Sequence, residues 1–226
     1  MDTKENIKIA IAEDHDLLRR TITSVLNDED DFEVVIAVPN GAELLDGIKN
    51  KAVDVVILDL NMPVLDGREA LKVLVKDYRE TKIIIVSMYY GHGYIEKYMK
   101  LGAHGYLSKD CAPLNLTRAI RDVYHDGHFI HKLCTTKLIS ELIDEGFITP
   151  PNASASLSEI EIEIAQLICQ KKSTDEIAGV LGLSVEEIEN HEQRAMKKLG
   201  IQSRAGIMIY ALKNEIYVHA NKQLRD

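Results

Sequence analysis

The feature that most constrains the fold is a regular alternation of short β-rich runs with amphipathic stretches through the first half of the 226-residue chain. Apolar or alternating runs predict strands, and residues 82–87 (KIIIVS) are nearly all apolar, as in a strand covered on both faces. The strands are predicted at 7–12, 33–38, 53–58, 82–87 and 105–107, and helices at 16–27, 41–50, 94–101 and 113–125. Five strands alternating with helical stretches predict an α/β domain with a doubly wound parallel sheet.

The pattern changes after residue 132. Residues 133–144 look helical, and residues 146–156 (GFITPPNASAS) have the Pro, Ser, Asn and Gly content of a linker. We therefore divide the chain into a domain at 1–127, a helical segment with a linker at 128–156, and a domain at 157–226.

No strand pattern recurs after the linker, and three capping boxes mark helix starts instead. They pair Ser158 with Glu161, Ser173 with Glu176, and Ser184 with Glu187. Gly182 suits the left-handed end of the second of these helices, immediately before the third begins. A helix, a tight turn and a second helix predict a small all-α helix-turn-helix domain.

Charge and composition argue against several classes of protein function. The net charge of -9, from 27 basic and 36 acidic residues, argues against general affinity for nucleic acid or membranes. With no long apolar run and no secretion signal at the start, we expect a cytoplasmic protein with no membrane partner. The cysteines (Cys111, Cys134 and Cys169) lack metal or disulfide spacing and are expected as free thiols. Six histidines fit no ligand spacing and are expected at the surface: His15, His92, His104, His125, His128 and His131.

Polar residues follow four of the predicted strands. Glu13 and Asp14 follow the first, Asp59 the third, Ser87 ends the fourth, and Lys109 follows the fifth. Since the carboxyl ends of parallel strands meet at one edge of the sheet, these groups are expected to converge. Clustered carboxylates need a cation, and hard oxygen ligands suit Mg²⁺. With the metal bound, Asp59 could act as a nucleophile towards a phosphoryl group.

The segments IAEDHD, VVILDLNMPVLDG, IIIVSMYY and GAHGYLSKD resemble, in order, the flavodoxin-like receiver domain of two-component response regulators. This resemblance covers about the first 125 residues. It implies that Asp59 is the phosphoacceptor, that Ser87 and Tyr106 are switch residues, and that Lys109 pairs with the phosphate. It further implies that Asp14, Asp59 and the backbone carbonyl of Asn61 bind Mg²⁺, with Glu13 acting largely through water. Asp110 stands where the family usually has proline.

Residues 157–212 resemble the four-helix DNA-binding domain of NarL/LuxR-type regulators, through Leu181-Gly182-Leu183-Ser184, Lys198-Leu199-Gly200 and Ser203-Arg204 among others. The resemblance implies a homodimer through a last helix near 204–214. The recognition helix, however, carries acidic residues: Glu186, Glu187, Glu189 and Glu192. Residues 157–204 hold six basic and nine acidic residues, a net charge of -3.

Two interpretations of this acidic helix remain open. In one, Glu189, Asn190 and Gln193 contact bases while cations hold the DNA phosphates; the cations would be Lys171, Lys172, Arg194, Lys197, Lys198 and Arg204. In the other, the domain has lost DNA binding and serves protein interaction or dimerisation.

The function implied is a phosphorylation switch. A cognate histidine kinase or a small phosphodonor would phosphorylate Asp59, and the chain would then act on promoter DNA as a transcription regulator, not as an enzyme. The competing class is a metal-dependent phosphatase with an aspartate nucleophile. Such enzymes generally need a second aspartate two residues later, and this chain has Asn61 there.

Overall fold

The computed structural model describes residues 6–89, 91–110, 112–130, 134–151 and 156–217, with no side chains described for 112–114. The chain forms two compact units, Met1–His131 and Lys132–Asp226. The domain limits drawn from the sequence stay predictions.

The first unit contains a five-stranded parallel sheet. Its strands lie in the order β2-β1-β3-β4-β5 and pair in parallel throughout. Their bounds are β1 Ile7–Ala12, β2 Phe32–Val38, β3 Val55–Asp59, β4 Lys82–Ser87 and β5 Gly105–Ser108. The α/β class and the doubly wound parallel sheet are therefore confirmed.

Helices cover both faces of this sheet. Their bounds are α1 Asp16–Asn27, α2 Gly41–Ile48, α3 Gly67–Asp77, α4 His92–Lys100 and α5 Ala112–Asp126. Alternate strand residues such as Ile11, Ile57 and Ile84 share one buried cluster with Ile22 of α1 and Ile120 of α5. Since side chains alternate across a strand, the neighbouring residues face α2 and α3 on the other side. The two faces together hold the strand ends rigidly in place.

The second unit is helical. Its bounds are α6 Thr136–Asp144, α7 Glu159–Cys169, α8 Thr174–Leu181, α9 Val185–Leu199 and α10 Arg204–Lys213. All three predicted capping boxes form, and Gly182 is left-handed with φ of 67°. The helix-turn-helix prediction is confirmed. Helix α6 packs against α10, so it belongs to the core of this unit. Part of the predicted linker, residues 152–155, lies outside the described residues.

Of the histidines expected at the surface, His128 is in fact buried in the first unit and His104 is partly buried. His128 is only 4% exposed, and the Nδ1 of His104 accepts a hydrogen bond of 3.1 Å from the backbone N–H of Ile83. Burial lowers the pKa of each to about 4, so both are neutral at physiological pH. His15, His92 and His125 are exposed, whereas His131 lies outside the described residues. Cys134 and Cys169 are buried free thiols, as expected; Cys111 is not among the described residues.

Candidate functional site: an acidic pocket at the strand ends

Four adjacent strands bring their carboxyl ends to one edge of the sheet. Asp59 is the last residue of β3 and Ser87 the last of β4, while Glu13 and Asp14 follow β1 directly. Lys109 follows β5, and its backbone N–H donates to the carbonyl of Ser87. The strand-end groups expected from the sequence are thus neighbours.

The side chains form a compact charged cluster. Carboxylate oxygens of Glu13, Asp14 and Asp59 lie within 4.8 Å of one another. The Nζ of Lys109 lies 2.8 Å from Glu13 Oε1 and 2.9 Å from Asp59 Oδ2. Glu13 and Asp59 are each 2% exposed, whereas Asp14 is exposed and lies at the mouth of the pocket. The geometry offers both a buried nucleophile and access from solvent.

The charges of the pocket do not balance. Burial raises the pKa of Glu13, with the nearby charge of Asp59 adding to the effect and Lys109 opposing it. Burial alone would lower the pKa of Lys109, but its hydrogen bonds and ion pairs with Glu13 and Asp59 raise it overall. Three carboxylates therefore face one ammonium, a deficit of two positive charges when all are ionised. An all-oxygen donor set with this deficit fits a divalent cation such as Mg²⁺.

Two hydroxyl groups flank the cluster. Ser87 is fully buried, and its Oγ accepts a hydrogen bond of 3.2 Å from the backbone N–H of Tyr89. Tyr106 is also buried; its hydroxyl donates to the carbonyl oxygen of Tyr89 and contacts Ser87. Burial, the main cause, raises the pKa of Tyr106 to about 12, so its hydroxyl remains a donor. Ser87 and Tyr106 thus lie beside each other, on the side of the pocket formed by β4 and β5.

The loop after β3 approaches the pocket through a close backbone contact. A Cβ added at Gly67 would lie 1.9 Å from the carbonyl oxygen of Asp59, so only glycine fits there. Asn61 is exposed, and its Oδ1 lies 3.4 Å from Arg68 Nη2. Val64 has φ of 66°, a left-handed conformation that is strained for a β-branched residue. This loop therefore holds its shape at some cost in free energy.

The second unit distributes its charged residues differently from the sequence-based expectation. Glu192, expected on the exposed start of α9, is only 8% exposed and lies 3.2 Å from Arg204 Nε. Glu187 turns back to cap its own helix, accepting from the backbone N–H of Ser184. Three of the four glutamates, Glu186, Glu187 and Glu189, are thus exposed, and one of these three caps the helix. The expectation for Glu192 was wrong because it shares the helical face of Ile188, Ala195 and Leu199.

The residues expected to contact DNA fall into two groups. Glu189, Asn190, Gln193, Arg194 and Lys197 are exposed on α9. In contrast, Lys198 Nζ lies 2.7 Å from the buried Glu161, and Arg204 also donates to the carbonyl of Lys172. Lys171 is exposed, yet its Nζ lies 3.8 Å from the sulfur of Met208. Lys198 and Arg204 therefore contribute to the packing of the unit as well as to its charge.

Comparisons with known proteins agree with this architecture. The family model described as response regulator receiver domain matches residues 9–121, and the model for bacterial regulatory proteins of the luxR family matches residues 155–211. The oxygen regulatory protein NreC of Staphylococcus carnosus is 34% identical over 217 residues, covering 93% of this chain and 99% of that protein. NreC of Staphylococcus aureus strain MRSA252 is 33% identical over 214 residues, with the same coverage of both chains.

Solved structures show the same fold. RcsB, a response regulator of Salmonella typhimurium, aligns with a TM-score of 0.53 at 24% identity, covering 91% of this chain and 98% of that one. An RcsB–DNA complex aligns with a TM-score of 0.54 at 24% identity and the same coverage.

A parallel sheet with an acidic pocket at its strand ends, followed by a helix-turn-helix unit, defines the class of two-component response regulators. The chain belongs to the LuxR-type family of these regulators, which are transcription regulators with a DNA-binding output domain. Among the described residues, no helix is both long and apolar enough to cross a membrane.

Proposed function

We propose that the regulator is switched by phosphorylation of Asp59 in a Mg²⁺-dependent reaction. The observation that carries this proposal is the arrangement of Glu13, Asp14 and Asp59 around Lys109 at one edge of the sheet. Bound Mg²⁺, held by these carboxylates and the carbonyl of Asn61, would supply the positive charge that the cluster lacks. The phosphodonor would be a cognate histidine kinase or a small acyl phosphate.

The transfer itself requires little more than positioning. An oxygen of the Asp59 carboxylate forms a bond to phosphorus while the bond between phosphorus and the donor breaks, and the electron pair leaves with the donor. Lys109, already 2.9 Å from Asp59, offers its ammonium to the phosphoryl oxygens. The Ser87 hydroxyl at the end of β4 would then donate to the phosphoryl group, and Tyr106 beside it would sense that change.

Labelling with acetyl phosphate tests the proposal. The full chain is expected to take up about one phosphoryl group per molecule with Mg²⁺ and none after chelation with EDTA. Asp59→Asn should abolish the label, whereas Asp77→Asn, a matched change at the exposed end of α3, should not. Label that persists in Asp59→Asn would contradict the assignment. Many turnovers on a small phosphate ester would instead favour the phosphatase class.

For DNA, we infer that phosphate contacts come mainly from the second half of α9. Arg194 and Lys197 are exposed and have no ion-pair partner among the described residues, and with His191 they line a cavity of about 490 Å³. Glu189, Asn190 and Gln193 would face bases, while Lys171, Lys172, Lys198 and Arg204 act from the edge of the surface. Since each phosphate contact releases counterions, affinity should fall steeply with salt.

Binding to a mixed-sequence duplex at several salt concentrations tests this inference. The double change Arg194→Gln/Lys197→Gln should weaken binding and lower the slope of log affinity against log salt by roughly 2. Lys213→Gln, at the exposed end of α10, serves as the matched control. Salt-independent, negligible binding by the phosphorylated wild type would favour the alternative in which the domain acts only in protein interaction.

The proposed homodimer requires an exposed apolar surface, and α10 exposes little apolar surface. Its residues Ile207, Met208, Ile209, Tyr210 and Ala211 are all buried within the second unit, where α10 packs against α6, α7 and α9. A group of exposed apolar side chains lies on α4 and directly before and after it; its members are Met88, Tyr89, Tyr94 and Leu101. We therefore favour dimerisation through this face of the receiver. Tyr94→Glu should reduce the dimer formed after phosphorylation, measured by sedimentation, without changing the labelling of Asp59.

A further inference from the structure

Arg68 joins the loop after β3 to helix α4. It is the second residue of α3, and its Nε donates a 3.2 Å hydrogen bond to the hydroxyl of Tyr98, thirty residues along the chain. The other nitrogens reach the loop, with Nη2 at 3.4 Å from Asn61 Oδ1 and Nη1 at 3.4 Å from Asp66 Oδ2. The hydrogen bond that Arg68 donates to Tyr98, its main partner, raises the pKa of the guanidinium, which stays charged. One side chain therefore touches two elements that border the pocket.

Tyr98, whose hydroxyl accepts the hydrogen bond from Arg68, is unusual because it is buried. Tyr98 is 1% exposed, and a buried phenol needs a hydrogen-bond partner for its hydroxyl. Arg68 supplies that partner. The Tyr98 ring stacks on the ring of Tyr106, with centroids 5.9 Å apart and an angle of 28° between the planes. Any rotation of Tyr98 would therefore remove a contact from Tyr106.

Tyr106 continues the connection to the pocket. Its hydroxyl donates to the carbonyl of Tyr89 and contacts Ser87, whose Oγ in turn accepts from the backbone N–H of Tyr89. A continuous set of contacts thus runs from Asn61 through Arg68, Tyr98 and Tyr106 to Ser87. Nothing in the sequence pattern brings these residues together, since they lie on the loop after β3 and on α3, α4, β4 and β5.

We infer that Arg68 is a positioning residue for phosphorylation of Asp59: by holding Tyr98, it keeps Tyr106 inward and keeps Ser87 beside the phosphoacceptor. Arg68 is not a catalytic residue, because none of its contacts is with Asp59 or Lys109. The inference rests on the proposed function. It adds that contacts through Arg68 and Tyr98 connect the loop carrying Asn61 to the switch residue Tyr106. Tyr106 is buried in this structure, and a rotation of its ring outward would be the change that such a connection can oppose.

The test compares labelling rates of the full chain with acetyl phosphate and Mg²⁺. Arg68→Met is expected to slow labelling about fivefold, the effect of losing one hydrogen bond that favours the inward state. Tyr98→Phe removes only the hydroxyl and should slow labelling to a similar extent. The double variant should be no slower than either single variant, because both remove the same interaction. Arg68→Lys, which can still donate to Tyr98, should restore part of the rate.

A second measurement reports on Tyr106 directly. In protein labelled with 3-fluorotyrosine, the ¹⁹F resonance of Tyr106, assigned with Tyr106→Phe, should shift or broaden in Arg68→Met. Lys76→Met, an exposed change on the same helix, should leave both the resonance and the rate unchanged.

Several results would overturn the inference: a wild-type rate in Arg68→Met, multiplied losses in the double variant, or an unmoved Tyr106 resonance. If the wild type itself takes no label, the proposed function fails, and the resonance alone decides whether Arg68 positions Tyr106.

Discussion

The buried histidines give the first unit a specific sensitivity to acid. His104 and His128 have pKa values of about 4 in the folded protein, against an ordinary value of about 6.5. Because the pKa is lower in the folded protein, the unfolded chain binds protons first as the pH falls. The contribution of these histidines to the free energy of unfolding is therefore fully present above pH 6.5 and is lost as the pH drops towards 4. When the pH is lowered from 7 to 5, each histidine should decrease the free energy of unfolding by about 2 kcal/mol.

Asp122 opposes this loss. Burial, its largest influence, raises its pKa to about 6 from an ordinary 3.8. A raised pKa makes the folded state bind the proton first, so Asp122 adds stability as the pH falls through 6, by about 1.3 kcal/mol at pH 5. Two histidines and one aspartic acid together leave a net loss of about 2 to 3 kcal/mol between pH 7 and pH 5.

Urea titrations of wild type and His128→Phe at the two pH values measure the effect. Tyrosine fluorescence follows mainly the first unit, which holds seven of the nine tyrosines of a chain without tryptophan. His128→Phe should remove about 2 kcal/mol of the loss between pH 7 and pH 5, whereas His125→Gln, an exposed neighbour, should remove none. Identical pH dependence in wild type and His128→Phe would refute the reasoning, because the burial of an uncharged His128 would then have no energetic consequence.

Three further changes test other parts of the structure. Val64→Asn should raise the free energy of unfolding by roughly 1 kcal/mol, because asparagine tolerates the left-handed φ of 66°; a lower midpoint in urea would contradict this. Gly67→Ala should cost about 2 kcal/mol or more and slow labelling of Asp59, since its Cβ would meet the Asp59 carbonyl; unchanged labelling would show that the loop yields freely. Arg204→Met should cost about 3 kcal/mol in a thermal melt by leaving Glu192 buried without its cation, and adding Glu192→Leu should recover much of this; additive losses would count against the pairing.

The sequence was most informative where function depends on the ends of regular elements. The strand runs locate β1, β3, β4 and β5, and in a parallel sheet their carboxyl ends must share one edge. The convergence of Asp59 and Lys109 follows from that rule without any knowledge of side-chain positions. The three capping boxes are equally local, since each depends on residues three apart.

Other contacts could not be predicted in this way because they join distant elements without a periodic signal. His104 and His128 lie in connections after α4 and α5, where no helical or strand period reports burial. The contact between Arg68 and Tyr98 spans thirty residues and depends on how α3 and α4 flank the sheet. Glu192 is different: its charge led us to expect exposure, whereas it lies on the same buried helical face as Ile188 and Leu199, where it forms an ion pair with Arg204.

Both units contain buried carboxylates, but the two units differ in how many cationic side chains accompany them. This difference explains which unit needs an added cation. In the second unit, buried carboxylates have one cation each: Glu161 has Lys198, and Glu192 has Arg204. Each of these carboxylates therefore has its own cation within ion-pair distance, so its charge is matched without a ligand. In the first unit, Lys109 is shared between Glu13 and Asp59, and no second amine pairs with Asp14 in the part of the chain that the structure describes. A buried site with this excess of negative charge is stable only when a divalent cation or protons make up the difference. The acidic pocket is therefore suited to bind a cation, because its own residues do not neutralise its negative charge.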